Sequence, residues 1–282
     1  MGIQEVSAHV YANSEYELAN VACIDTGDGL VLVDTPTMPE DISHWKYFID
    51  SMKGTGVAYI IATHHHFDHI MGNNRLGGNV IMQENAFELM KQPGSTLREL
   101  LAPNLPGITK EKLDFLASEP LLTPKITFSD RMCLKLGDLT LHLFHVGGHS
   151  KGSLCVYVEE DKVLLAGDNI SPGQHPFRGH ADHLEWIKAL RWMKGLDADA
   201  IIPGHGPLCG KDELDHFIEY LSRLWCTAES LIKKGASRDE VIAETRNRMF
   251  DFFYVEPERV EEMTKLFDSG MPRLYEEILS RI

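Results

Sequence analysis

Four short apolar runs in this chain each lead into a tight turn that carries histidine or aspartate, and that recurrence limits the fold more than any bulk property. Val57–Ala62 runs into Thr63-His64-His65-His66-Phe67-Asp68-His69 and then Gly72. The run 139–146 leads through Gly147-Gly148 to His149, and the run 163–166 leads through Gly167 to Asp168. Ile201-Ile202 leads through Pro203-Gly204 to His205. Apolar runs of this length bounded by turn residues read as buried strands. Glycine allows the turns that a Cβ would obstruct, and loops held by a rigid sheet are where chemistry gathers.

The rest of the chain fills in around those strands. Two apolar runs, 21–24 and Leu30–Val33, flank Asp25-Thr26-Gly27-Asp28-Gly29 and read as a hairpin. Residues 40–52 suit a helix stopped at Gly54, and 79–82 another strand. Residues 84–122 read as a largely helical insertion punctuated by Pro93, Pro103, Pro106 and Pro120. Leu154–Val158 is a strand, and 183–193 is a helix with Asp182 as its N-cap. From Lys211 onward the pattern is helical, with breaks expected near Gly235, at 254–257 and near Gly270. Alternating strands and helices indicate layered α/β. The expected architecture is two mixed sheets with helices outside, over residues 1–210, followed by a helical extension over 211–282.

The side chains at the four turns suit divalent metal. Imidazole and carboxylate favour zinc, with iron or manganese also compatible. His64, His66, Asp68, His69, His149, Asp168 and His205 are more ligands than one tetrahedral ion needs. They divide into three histidines for one ion, Asp68 with two histidines for a second, and one bridging carboxylate. The cluster 63–69 alone would read equally well as a His-rich turn, and His149, Asp168 or His205 alone is more often a surface or capping residue; the ordered set carries the inference.

His64-x-His66-x-Asp68-His69, Gly148-His149-Ser150, Gly167-Asp168 and Pro203-Gly204-His205-Gly206 together resemble the metallo-β-lactamase-fold hydrolases. The resemblance runs from Val33-Asp34-Thr35 to about Gly210. It implies an αβ/βα four-layer sandwich with a site at one edge between its sheets. It further implies that His64, His66 and His149 bind a first ion, that Asp68, His69 and His205 bind a second, and that Asp168 bridges them. His65 falls at a variable position and is read as a non-ligand. Asp34, Ser150 and Ser153 are candidates to support the ligands.

The chemistry this implies is binuclear hydrolysis. Hydroxide held by the ions attacks an acyl carbonyl, and Asp68 orients it and shuttles its proton. The expected substrate is an ester, thioester or lactone of a small molecule, as in relatives resembling glyoxalase II and the lactonases. Family β-lactamases tend to lack a bridging aspartate, which argues against that native role. The alternatives on the same fold are an oxidoreductase resembling the persulfide dioxygenases, with a single iron, and a nuclease. The segment after Asp168 leaves the site edge, so His175 and Arg178 are its candidate substrate contacts. Residues 11–16 are placed at the mouth. Residues 84–122 and the cluster Phe250, Phe252, Phe253 and Tyr254 are read as a lid, a homodimer contact or core.

Composition narrows the partners. The formal charge is −15 and no dense basic run occurs, which argues against nucleic acid. No run of about 18 apolar residues marks a membrane span. The first residues lack a basic stretch followed by an apolar one, so no secretory signal is expected. Cys23, Cys133, Cys155, Cys209 and Cys226 are scattered and odd in number, which favours reduced thiols and a cytoplasmic location.

Overall fold

The computed structural model describes residues 2–52, 56–91 and 108–282. Among them are twelve strands in two sheets. The first sheet holds β1 (Gln4–Glu5), β2 (Val10–Asn13), β3 (Val21–Asp25), β4 (Leu30–Val33), β5 (Val57–Ala62), β6 (Asn79–Gln83) and β7 (Ile126–Phe128), in that spatial order. Its first four strands pair antiparallel and β4 to β7 pair parallel. The second holds β8 (Arg131–Leu136), β9 (Leu139–His145), β10 (Leu154–Val158), β11 (Val163–Gly167) and β12 (Ala200–Pro203), in the order β12-β11-β10-β9-β8. Only β11 and β12 are parallel there.

The period-2 alternation of a strand explains why these runs are apolar throughout. Along β3 and β4, Ala22, Ile24, Val31 and Val33 face the second sheet, where they meet Leu141, Leu143, Val156 and Leu165. Their neighbours Val21, Cys23, Leu30 and Leu32 face outward onto Trp45, Ile42 and Ile49 of helix α1 (Pro39–Ser51). The second sheet does the same. Cys155, Leu164, Ala166 and Ile201 turn outward to Trp186, Leu190 and Met193 of helix α6 (His183–Lys194) and to the C-terminal helices. The result is four layers, helices-sheet-sheet-helices, as the resemblance implied.

Between β5 and β7 lie the short helices α2 (Phe67–Ile70) and α3 (Asn73–Leu76), then α4 (Glu84–Met90) and α5 (Lys110–Ser118). The middle of the expected insertion, with Pro93, Pro103 and Pro106, lies outside the described residues, as does the expected helix stop at Gly54. The C-terminal part is α7 (Lys211–Lys233), α8 (Arg238–Met249) and α9 (Val260–Leu279). It has no core of its own: Leu214, Phe217, Tyr220, Phe267 and Leu274 belong to one buried cluster with the outer face of the second sheet.

Breaks occur near Gly235 and at 253–256, but not at Gly270, which lies inside α9. A Cβ there would stand 2.7 Å from Cβ of Arg178, so this glycine marks a close approach rather than a helix end. Half of the region 11–16 belongs to β2, which ends at Asn13, and Tyr16 packs edge-on against Trp45. Phe250, Phe252 and Phe253 pack around Tyr220 and the helices, whereas Tyr254 is exposed. No helix among the described residues is long and apolar enough to cross a membrane.

Candidate metal centre

The four predicted turns lie together at one edge of the sandwich, because β5, β9, β11 and β12 all end there. Parallel pairing puts the ends of β11 and β12 side by side, with an irregularity of register between Leu165 and Gly167. Gly204 donates its N–H to the Gly167 carbonyl at 2.8 Å. A Cβ on Gly204 would stand 1.9 Å from Oδ1 of Asp168, so the glycine is what leaves room for that carboxylate. Gly148 has φ +92°, and a Cβ there would meet Asn169 and Trp186 below 3.0 Å. The same Asn169 accepts the backbone N–H of His149 at 3.0 Å.

All seven expected ligands converge. The nitrogen and oxygen atoms of His64, His66, His149 and Asp168 lie within 4.8 Å of one another, and so do those of Asp68, His69 and His205. Asp168 joins the two groups. Its Oδ1 is 3.0 Å from His69 Nε2, and its Oδ2 is 3.3 Å from His205 Nε2, 3.4 Å from His149 Nε2 and 3.6 Å from His64 Nε2. Asp68 Oδ2 lies 3.3 Å from His205 Nε2 and 3.6 Å from His69 Nε2. His66 Nδ1 faces His149 Nε2 at 3.0 Å.

The outward nitrogens of His64, His69 and His205 are anchored, whereas that of His149, Nδ1, is buried without a hydrogen-bond partner. His69 Nδ1 donates to Asp34 at 2.7 Å, and His205 Nδ1 donates to the Leu18 carbonyl at 3.2 Å. His64 Nδ1 lies 3.1 Å from Thr63 Oγ1. Asp34 also accepts the Thr63 N–H at 2.8 Å and its hydroxyl at 2.7 Å, tying β4 to the histidine turn. Asp34 itself has φ +57°, a left-handed conformation that costs a non-glycine residue roughly 1–2 kcal/mol. Ser150 and Ser153 bond to each other at 2.9 Å and brace the His149 turn without reaching a ligand nitrogen.

This donor set fits divalent metal. His64 Nε2, His69 Nε2 and Asp168 Oδ1 are buried and lack a hydrogen-bond partner. A buried polar atom left without one costs roughly 1–3 kcal/mol; a cation in the His64 group and another in the Asp68 group would relieve that cost. Burial, with the neighbouring imidazoles, pushes His64 and His66 well below the ordinary histidine value; burial pushes His149 down to about 4 despite Asp168. These three are neutral lone-pair donors. Burial opposes charge on His69 and His205 too, but Asp168 leads the carboxylates that outweigh it, holding His69 well above its ordinary value and His205 at about 10. Burial alone would raise Asp68 and Asp168, yet His69 first among the facing histidines holds both low. A cation at the Asp68 group therefore replaces protons, which couples binding to pH.

His175 and Arg178 are placed elsewhere than expected. His175 is buried, with Nδ1 3.0 Å from the Tyr220 hydroxyl and Nε2 2.9 Å from the Phe250 carbonyl. Arg178 is also buried; it donates to the Phe267 carbonyl at 2.7 Å and lies over the Phe267 ring. Both serve the helical extension, because the side chains of this segment alternate between the helices and the mouth. The residues that do reach the metal cluster are Phe177 and His180. His180 Nδ1 is 2.8 Å from His66 Nε2, and the Phe177 ring lies edge-on to His66. His65, read as a non-ligand, packs beside both, with its ring 4.6 Å from that of His66 and 5.3 Å from that of His180.

A family model described as the metallo-beta-lactamase superfamily matches residues 17–205. The chain is 26% identical over 167 residues to acyl-coenzyme A thioesterase MBLAC2 of Gallus gallus, covering 55% of this chain and 58% of that one. It is 20% identical over 258 residues to a linear primary-alkylsulfatase of Pseudomonas sp. (strain ATCC 19151), covering 79% of this chain and 49% of the other. The chain thus spans about half to three-fifths of the length of these curated relatives. Among solved structures, the sec-alkylsulfatase Pisa1 from Pseudomonas sp. superposes with a TM-score of 0.73 at 17% identity, covering 98% of this chain and 50% of that one.

Proposed function

The chain belongs to the metallo-beta-lactamase superfamily, and from that premise we propose that it is a binuclear metal-dependent hydrolase of an ester, thioester or lactone bond in a small molecule. The observation that carries the reading is the convergence of six ligand side chains on Asp168, with His64 Nε2 buried and unpartnered and His69 Nε2 facing Asp168 Oδ1 at 3.0 Å. In this reading His64, His66 and His149 hold one ion, Asp68, His69 and His205 hold the other, and Asp168 touches both. Zinc is the proposed metal; when bound, such ions make water acidic enough to react near neutral pH and draw charge from the oxygen that becomes anionic.

The chain's own residues do the rest. Asp34 and the Leu18 carbonyl fix the ring orientation and tautomer of His69 and His205. Asp68 has an oxygen directed at the same space as Asp168 and is the proposed proton acceptor for the attacking water. Burial of the cluster keeps competing solvent away and strengthens its electrostatics.

The thioesterase relative favours an acyl thioester. An alkyl sulfate is a second reading, supported by the alkylsulfatase likeness, which extends through the helical extension. Hydrolysis assays of the zinc-loaded protein on acyl thioesters, lactones, β-lactams, alkyl sulfates and phosphodiesters separate these. The expected result is turnover of an acyl bond that disappears in His66→Ala and Asp168→Ala while their circular dichroism stays native. Full activity in both variants overturns the assignment.

A further inference from the structure

The His180 ring touches the metal cluster from outside, and none of the seven ligands accounts for it. Its Nδ1 lies 2.8 Å from His66 Nε2, while the other nitrogen of His66 faces His149 Nε2 at 3.0 Å. Both ring nitrogens of His66 are thus committed. An imidazole that gives one nitrogen to a cation carries its proton on the other and needs an acceptor there. For His66 the acceptor present is Nδ1 of His180. The other ligands have different outer partners: Asp34 for His69, Leu18 for His205 and Thr63 for His64.

His180 is exposed, and its ring packs only against His65, His66 and Phe177 among the aromatic rings of the described residues. Its neighbours along the chain are held by α9. The Ala181 carbonyl accepts from Arg273 Nε of α9 at 2.7 Å, and Arg178 is buried against Phe267 of the same helix. His183 N and Nδ1 both donate to Glu277 at 3.0 and 2.9 Å. Arg178, Ala181 and His183, spread across six residues around His180, are therefore pinned to α9.

We propose that His180 is a positioning residue for the metal ligand His66, and that helix α9 holds it there through Arg273 and the buried Arg178. The inference rests on the two-metal reading above. It makes the helical extension part of the metal centre's support, although no residue of the extension is a ligand. His65, His66 and His180 also have nitrogens within 4.8 Å of one another. The commitment of both His66 nitrogens argues that this trio is a hydrogen-bonded wall rather than a third ion site.

The test measures zinc affinity by competition with a colorimetric chelator on the full chain, with kcat and KM recorded in parallel. Wild-type protein that retains no zinc overturns the two-metal reading itself, and this inference with it. Given two bound ions in wild type, His180→Ala is expected to weaken one of them roughly 10- to 100-fold and leave the other alone. The thermal midpoint of the metal-free chain should not change. His180→Asn, whose side-chain oxygen can take the place of Nδ1, should restore most of the affinity. Arg273→Ala should shift affinity in the same direction by less. Wild-type affinity for both ions in His180→Ala overturns the proposal, as does a third zinc that this variant loses. An unchanged Arg273→Ala overturns the share given to the extension.

Discussion

Asp34 and Gly204 touch no expected substrate, yet each fixes where a ligand atom stands. Asp34 accepts from Thr63 and His69 while strained in a left-handed conformation. Asp34→Ala is expected to free the His69 ring and weaken the second ion roughly 10- to 100-fold, read as zinc content after dialysis against a chelator; unchanged content would contradict it. Gly204→Ala would drive a Cβ into Oδ1 of Asp168, and neither Asp168 N nor Gly167 C nearby can yield. A displacement of about 1 Å in such a site costs on the order of a hundredfold in kcat, so assays of Gly204→Ala should show at least that loss. The seven candidate ligands that converge at the sheet edge were legible because their chemical type and flanking turn residues are local properties. Which side chains of 175–180 face the mouth was not legible, because it depends on helices joined some 40 to 100 residues later in the chain. His175 and Arg178 were expected at substrate for that reason, and Phe177 and His180 were passed over.

At the scale of elements, strands buried on both faces announced themselves as continuous apolar runs, and β5 and β10 have the limits their runs predicted. β8 was missed because it alternates: Met132, Leu134 and Leu136 face inward while Arg131, Cys133 and Lys135 face out. The segment carrying His175 makes a prediction about acid. Burial pushes His175 down to about 4 from an ordinary 6.5. The folded-state value is lower than the unfolded one, so below pH 6.5 the unfolded chain takes up a proton that the folded chain refuses. Stability is therefore lost as pH falls from about 6.5 toward 4, by at most roughly 3 kcal/mol at this site. Thermal midpoints between pH 7 and 5 should fall less steeply in His175→Gln than in wild type. Parallel slopes would show that His175 does not carry this dependence.

At the scale of the whole molecule, the boundary near residue 210 separates sequence patterns and not cores. Trp186, Leu190 and Ile201 share one buried cluster with Phe217, Leu224 and Leu274. Residues 1–210 alone would expose that apolar face to water. Such a piece is expected to lose its cooperative thermal transition, as followed by near-ultraviolet circular dichroism. A sharp transition with metal binding intact would show instead that the sandwich stands alone. The layered architecture was legible from alternating elements, whereas the dependence of one layer on the extension was not, since amphipathic helices do not state which surface they cover.

In the proposed reading Asp168 links two cation sites, one of His64, His66 and His149 and the other of Asp68, His69 and His205. The most direct measurement is elemental analysis of zinc-replete protein, wild type beside Asp168→Ala. Wild type is expected to hold about two divalent ions per chain, and the variant clearly fewer. A wild-type content near zero, or a single iron accompanied by oxygen uptake, would contradict it.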